Sequence, residues 1–389
     1  MTVTHPKGFR ASGVAAGLKP SGNPDVALVV NDGPDYTAAA VFTANRVKAA
    51  PVLWSQQVVK GGVIRAVVLN SGGANACTGS QGFRDTHATA EHTASTLRTT
   101  KKMMIGPGDV AVCSTGLIGE LLPMDKLLPG VNAAVKALAA DGGEQAAQAI
   151  MTTDTVAKNS VASRDGWSVG GIAKGAGMLA PALATMLVVI TTDASADNET
   201  LDAALRAATR VTFDRIDADG CMSTNDTVLL LASGASDRQP SLEELTAAVT
   251  EVCHDLAQQL ITDAEGATKH IAIEVAGAAT EADAVQVGRS VAGNNLVKTA
   301  FFGNDPNWGR ILAAVGTTTA AFEADRIDVA INGVWVCRNG AAAEDRSKVD
   351  LSGRDVRVTI NLHEGELNAT IWTTDLSHAY VHENSAYSS

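Results

Sequence analysis

Short apolar runs punctuate the chain at Val63 to Leu69, Val110 to Cys113, Met186 to Ile190, Val228 to Leu231, Ile271 to Val275, Ile327 to Ile331 and Val356 to Ile360. Each is of strand length, which predicts strands there. Helical spacing is clearest after Ser241, where Ser-Leu-Glu-Glu reads as a capping box. From there Leu242, Leu245, Val249, Val252, Leu256 and Leu260 recur on one face. Weaker helical patterns cover Asn132 to Ala140 and Leu201 to Arg210. Strands and helices come in mixed order with no internal repeat or low-complexity linker. This favours a layered α/β or α+β architecture over a doubly wound sheet or a barrel.

Composition adds little to that outline but narrows the partners. The 389 residues are 46% hydrophobic and 19% charged, enough for two domains or one large one. Aromatics make up only 4% of the chain while Gly and Ala are abundant, so the layers should meet through small side chains. A net charge of -12 argues against binding nucleic acid or an anionic membrane, which both require basic surface, and points to a small-molecule partner. Lys7 and Arg10 are followed by no apolar stretch of signal-peptide type. The longest apolar run, Met178 to Ile190, is interrupted by Pro181 and Thr185 and is too short to span a bilayer. A cytoplasmic location is expected. The five cysteines, at 77, 113, 221, 253 and 337, lack metal-ligand spacing and read as buried free thiols. The dispersed histidines likewise suggest no catalytic metal.

The stretch with the most chemical content runs from Gly170 to Ala194, where glycines and small residues lead into Thr185 at the head of an apolar run. A threonine hydroxyl needs a base beside it to act as a nucleophile. One such base is its own α-amino group, with a pKa of about 8, once the Ala184-Thr185 bond has been broken. Small residues at Ala182 and Ala184 would let the hydroxyl attack the preceding carbonyl. On spacing alone Thr185 is better read as an ordinary residue opening a core strand, and Lys174 can be read as a solvated surface charge. A second element, Val110 to Gly119, ends a strand in Ser114-Thr115-Gly116. It offers backbone N–H groups or a hydroxyl to a developing oxyanion, or else forms a plain glycine turn.

Taken with their surroundings, these residues resemble the ornithine acetyltransferase, or glutamate N-acetyltransferase, family. The resemblance is carried by Lys174-Gly-Ala-Gly-Met178, Ala184-Thr185-Met-Leu187 and Thr192-Asp-Ala194. It continues in Phe42-Thr-Ala-Asn-Arg-Val-Lys-Ala-Ala-Pro-Val52, Asn70-Ser-Gly-Gly-Ala-Asn-Ala-Cys-Thr-Gly79, Thr152-Thr-Asp-Thr155 and Ser223-Thr-Asn-Asp-Thr227. Glu265-Gly-Ala-Thr-Lys269, Asp305-Pro-Asn-Trp-Gly-Arg310 and Asn384-Ser-Ala-Tyr387 complete it. The motifs occur in order over essentially the whole chain. Three positions depart from the usual pattern: Gly73, Leu183 and the terminal Ser389, none of which removes a catalytic group.

The resemblance implies an α/β layered sandwich like that of the N-terminal-nucleophile hydrolases, shared with a self-processing aminopeptidase family. It implies self-cleavage between Ala184 and Thr185 into an α chain, residues 1–184, and a β chain, residues 185–389, assembled as two of each. By resemblance, Thr185 is the nucleophile and Thr115 with Gly116 forms the oxyanion hole. Thr152, Lys174, Thr185, Glu265, Asn384 and Ser389 bind substrate. Lys174 is suited to pair with an amino-acid carboxylate and Glu265 with a side-chain ammonium. The implied reaction is ping-pong transfer of acetyl from N2-acetyl-L-ornithine to L-glutamate, with no cofactor or metal. Acetyl-CoA would enter as a co-substrate only if the enzyme is also an N-acetylglutamate synthase. Other readings are a related transferase of specialised metabolism, an aminopeptidase or amidase using the same threonine, and a non-catalytic amino-acid-binding protein.

Overall fold

The structure, a computed structural model, describes residues 2–180 and 186–386. Three sheets organise them. The first consists of β1 (Phe9–Val14), β2 (Val26–Asn31), β4 (Ala66–Asn70) and β5 (Val110–Ser114) in the order β1-β2-β4-β5. The second consists of β3 (Ala38–Phe42), β6 (Lys158–Arg164), β7 (Trp167–Lys174), β8 (Leu187–Thr192) and β10 (Thr227–Ala232) in the order β3-β10-β8-β7-β6.

These two sheets face each other. Ala27, Val29, Val67, Leu69 and Ala111 from the first share one core with Ala38, Ala40, Ile172, Leu187, Val189, Leu229 and Leu231 from the second. Because successive strand residues point to opposite faces, the alternate positions build two outer cores. Val26, Leu28, Val68 and Val112 pack under α2 (Gly79–Lys101) and α3 (Met124–Ala137). Val188, Ile190, Val228 and Leu230 pack under α5 (Asn198–Val211) and α6 (Leu242–Thr262). The result is a helix–sheet–sheet–helix sandwich, the layered α/β class expected from sequence. Its strands are apolar throughout because both faces are covered, which is why they stand out as runs rather than as alternation.

The third sheet holds β9 (Ile216–Asp217), β11 (His270–Ala278), β12 (Asp328–Ile331), β13 (Val334–Arg338), β14 (Ala341–Ala342), β15 (Asp355–Asn361) and β16 (Leu367–Thr374), ordered β14-β13-β12-β15-β11-β16-β9. Its own core lies beneath α7 (Glu281–Ala292), α8 (Asn295–Phe302) and α9 (Trp308–Val315). Three short helices complete the described fold: α1 (Ala50–Val58), α4 (Gly143–Ala149) and α10 (His378–Ala386). No helix among the described residues is long and apolar enough to cross a membrane.

All seven predicted strands are present, with ends shifted by a few residues. At α6 the Ser241 side chain accepts from the Glu244 N–H, and the Glu244 carboxylate in turn accepts from the Ser241 N–H. The helix expected over Asn132 to Ala140 begins earlier, at Met124, and runs through Pro129. Burial of Leu127, Val131, Ala134 and Val135 offsets what the proline costs. Two of the five cysteines depart from expectation. Cys113, Cys253 and Cys337 are buried, but Cys77 and Cys221 sit on loops and are exposed.

Leu229 is fully buried on a central strand between the two facing sheets. Leu229→Ala should therefore destabilise the sandwich by roughly 2–5 kcal/mol, read as a lowered Tm by calorimetry.

Candidate active site

The strand registers bring four chain segments to one edge of the sandwich. β7 and β8 run antiparallel with Lys174 opposite Leu187, so the end of β7 and the start of β8 coincide. β10 is parallel to β8 with Thr227 opposite Leu187, and antiparallel to β3 with Thr227 opposite Phe42. The loop Ser223–Thr227 thus reaches the same edge, next to Thr43.

Side chains then tie the quoted motifs together. Thr43 Oγ1 donates to the Ser223 carbonyl at 2.7 Å, and the Ala49 N–H to the Thr224 carbonyl at 2.9 Å. Asn225 Nδ2 donates to two carbonyls of the first sheet's loops, Ala74 at 2.6 Å and Ser114 at 2.8 Å. One asparagine therefore fixes the Asn70–Gly79 loop and the end of β5 against the second sheet.

At that junction Thr115, Gly116, Thr152, Thr153, Lys174, Gly177, Met178, Glu265 and Asn384 line one cavity. Six of these were singled out from sequence: Thr115, Gly116, Thr152, Lys174, Glu265 and Asn384. Thr153, Gly177 and Met178 were not named individually, although each lies within a quoted motif. Ala184, Thr185 and Ser389 lie outside the described residues. The cavity, at about 70 Å³, is much smaller than a surface groove of about 580 Å³ around Arg164 and Arg238, so its chemistry and not its size marks it out.

Thr115 cannot offer its backbone N–H to an oxyanion, because that group donates to the Asn70 carbonyl at 3.0 Å. What remains is its hydroxyl. Lys174 Nζ lies 3.4 Å from Thr115 Oγ1 as a donor, which leaves the hydroxyl hydrogen free to point elsewhere. The next residue, Gly116, adopts φ +131°, and a Cβ there would come 2.9 Å from the Gly73 backbone. Only glycine fits, and its N–H makes no hydrogen bond among the described residues. The alternative of a plain glycine turn leaves this paired arrangement unexplained.

Lys174 is not the solvated surface charge that its sequence position also allowed. Its side chain is 1% exposed, because it ends a strand that is covered on both faces. Burial pushes its pKa down, while Asp154, Glu265 and Asp226 pull it back up. Asp154 anchors this corner. Its Oδ1 accepts from Lys158 Nζ at 2.7 Å and the Gly175 N–H at 2.6 Å. Its Oδ2 accepts from the Thr152 N–H at 3.0 Å and lies 3.9 Å from Lys174 Nζ. Burial alone would raise the Asp154 carboxyl, but Lys174, Lys158 and the Thr152 N–H outweigh it and hold the pKa at about 2.

Opposite this cationic corner stands Glu265, whose Oε2 accepts from Asn384 Nδ2 at 2.9 Å. A Cβ on Gly177 would lie 2.6 Å from that carboxylate, so the Lys174-Gly-Ala-Gly motif makes room for Glu265. Met178 takes φ +53°, with its N–H held by Asp219 at 2.7 Å. The cavity thus presents an ammonium, a hydroxyl and a free N–H on one side and a carboxylate on the other. A zwitterionic amino acid fits that polarity.

A model of the ArgJ family matches residues 10–389. The arginine biosynthesis bifunctional protein ArgJ of Streptomyces avermitilis is 67% identical over 389 residues, covering 100% of both chains. The protein of the same name from Thermobifida fusca is 63% identical over 388 residues, again covering 100% of both. The chain belongs to the ArgJ family. The family resemblance drawn from the motifs is thereby borne out. Among solved structures, the ornithine acetyltransferase of Mycobacterium tuberculosis complexed with ornithine is similar, with 60% identity and a TM-score of 0.46 over 48% of this chain and 96% of that one.

Within this ArgJ-family site the Asp154 cluster has a measurable acid limit. The folded carboxyl titrates at about 2, below its ordinary 3.8, so its stabilisation is complete above about pH 4 and is lost as pH falls towards 2. The shift corresponds to on the order of 2 kcal/mol. Denaturant melts between pH 5 and pH 2 should show this slope in the native chain. In Asp154→Asn the slope should be shallower and stability lower at neutral pH, because Lys158 keeps only Asp263 and Lys174 loses its nearest carboxylate.

Proposed function

We propose that this chain is an acyltransferase of arginine biosynthesis that moves an acetyl group from N2-acetyl-L-ornithine to L-glutamate. The observation that carries the reading is the convergence of Thr115, Gly116, Thr152, Lys174, Glu265 and Asn384 on one cavity in a chain that matches the ArgJ family almost end to end. Two relatives alike over their whole length carry arginine biosynthesis in their names.

Self-cleavage between Ala184 and Thr185 frees the α-amine of Thr185 to serve as base for its own hydroxyl. Thr185 Oγ attacks the acetyl carbonyl of the donor. The oxyanion is held by the Thr115 hydroxyl and the Gly116 N–H, both left free to donate. The C–N bond breaks, ornithine departs with its amine protonated, and the acetyl group remains as an ester on Thr185. The α-amine of glutamate then attacks the ester, giving N-acetyl-L-glutamate and regenerating the hydroxyl.

Lys174 pairs with the α-carboxylate that both amino acids share, and Glu265 receives the side-chain ammonium of ornithine. Thr152, Asn384 and Ser389 complete the substrate contacts. Exchanging one amide for another requires little net free energy, so neither cofactor nor metal is called for. The relatives' designation as bifunctional favours a second donor, acetyl-CoA, for the same acyl-enzyme. The α chain, 1–184, and the β chain, 185–389, stay associated, as two of each.

Acetyl-ornithine supplied alone should yield at most one equivalent of ornithine per site, with steady release only when glutamate is added. Continuous acetate release without glutamate would instead mark a hydrolase. Thr115→Val should lower kcat by about 10²-fold or more with little change in KM. Lys174→Ala should raise KM for both amino acids; an unchanged KM with intact turnover would remove Lys174 from carboxylate binding.

A further inference from the structure

Self-cleavage poses a problem that acetyl transfer does not. Before the bond breaks, the nitrogen of Thr185 is an amide and cannot act as a base, so the hydroxyl must lose its proton to another group. That group has to lie close to Met186, the residue bonded to Thr185. From standard bond lengths, the Thr185 hydroxyl oxygen is within about 5 Å of the Met186 nitrogen whatever the conformation.

One carboxylate among the described residues hydrogen-bonds directly to that nitrogen. Asp226 is fully buried at the start of β10, and its Oδ1 accepts the Met186 N–H at 3.1 Å. Backbone bonds lock it there: the Thr227 N–H donates to the Met186 carbonyl at 3.1 Å, and the Thr43 N–H to the Asp226 carbonyl at 3.0 Å. Its second oxygen, Oδ2, is buried with no hydrogen-bond partner. A buried polar atom without a partner is costly and calls for an explanation.

We propose that Asp226 is the general base of self-cleavage, its unpartnered Oδ2 taking the hydroxyl proton of Thr185. The proposal rests on the self-cleaving reading above. The proton passes from Thr185 Oγ to Asp226 as the Oγ–C bond to the Ala184 carbonyl forms. Asp226 then returns the proton to the departing Thr185 nitrogen as the C–N bond breaks, leaving an ester and a free amine. One water hydrolyses the ester, giving the Ala184 carboxylate and the restored hydroxyl.

The charges that act on Asp226 are few. Lys174 faces it from β7 and favours its ionised form, while Cys221 lies on its own loop. β8 contributes the Met186 N–H, and the nearby hydroxyls of Ser223 on the Asp226 loop and Thr43 at the end of β3 also favour the ionised form, neither bonding to Oδ2. Burial outweighs these and raises the carboxyl well above the ordinary range. A carboxyl so raised holds a proton more readily than an ordinary aspartate, so it can take one from the hydroxyl and give it back within the same reaction.

The test uses the full chain made by cell-free synthesis and shifted into buffers from pH 4 to pH 9, with cleavage followed by intact mass. Asp226→Asn keeps an acceptor for the Met186 N–H but loses the base. It should slow cleavage by about 10²-fold or more while the circular dichroism and Tm stay near those of the native chain. The native rate should rise with pH along a limb that the variant lacks, and Asp226→Glu should restore part of the rate. Cleavage of Asp226→Asn within several-fold of native overturns the proposal. A native rate flat across the whole pH range does so too, even if the variant fails to fold. A native chain that never splits overturns the self-cleaving reading and this proposal with it; a native chain that splits beside an equally active Asp226→Asn overturns the proposal alone.

Discussion

A single buried carboxylate, Asp154, stands between two buried lysine ammonium groups and is the one counter-charge they share. Removing a lysine from water is costly unless a counter-charge and hydrogen bonds replace the solvent. Lys158 obtains both from Asp154 and Asp263, at 2.7 and 2.6 Å. Lys174 receives only a distant share, 3.9 Å from Asp154, and so keeps donor capacity for something else. The same carboxylate also accepts from the Thr152 and Gly175 backbones, which fixes both walls of the cavity relative to the lysine. The unequal sharing turns a structural ion cluster into a binding group.

The sandwich supplies the rest. Strand direction decides which residues can meet, and here the antiparallel pair β7–β8 and the parallel pair β8–β10 place Lys174, Met186 and Asp226 at one edge. The first sheet delivers Thr115 and Gly116 to that edge, and Asn225 bonds the two sheets together at the meeting point. A further carboxylate, Glu265, follows α6 and completes the opposite pole. Proton acceptor, oxyanion donors and ammonium therefore come from elements far apart in the chain, each at a strand end or in a loop where the backbone is free to turn.

How legible this was varied by element. The buried strands were plain because both of their faces are covered, and α6 because its stripe uses Leu and Val with a capping box at its start. The longest helix, α2, gave no such signal. Its buried side is Gly82, Asp85, Thr86, Thr89, Ala90, Thr93, Ala94 and Leu97, small or polar residues that let it sit close to the first sheet. Close packing of small side chains buries a face without the periodic hydrophobicity by which helices are read. Lys174 was ambiguous for a related reason: a charged residue at the end of a strand reads alike in water or in a core, and burial is a property of what lies over it.

The sequence by itself determined the layered α/β class, the family and the residue types the chemistry requires, because these depend on local pattern and on motifs held in order. Only the tertiary structure decided that six of the named residues share a cavity and that Thr115 has its hydroxyl and not its N–H to offer. It also revealed that Asp154 and Asp226, unremarked inside longer motifs, are buried carboxylates with opposite fates. One is surrounded by donors and held ionised. The other has one backbone bond to its first oxygen, no hydrogen bond to its second, and only the hydroxyls of Ser223 and Thr43 nearby. That difference arises from which groups the strands bring alongside, a matter of three-dimensional neighbours on which the linear order is silent.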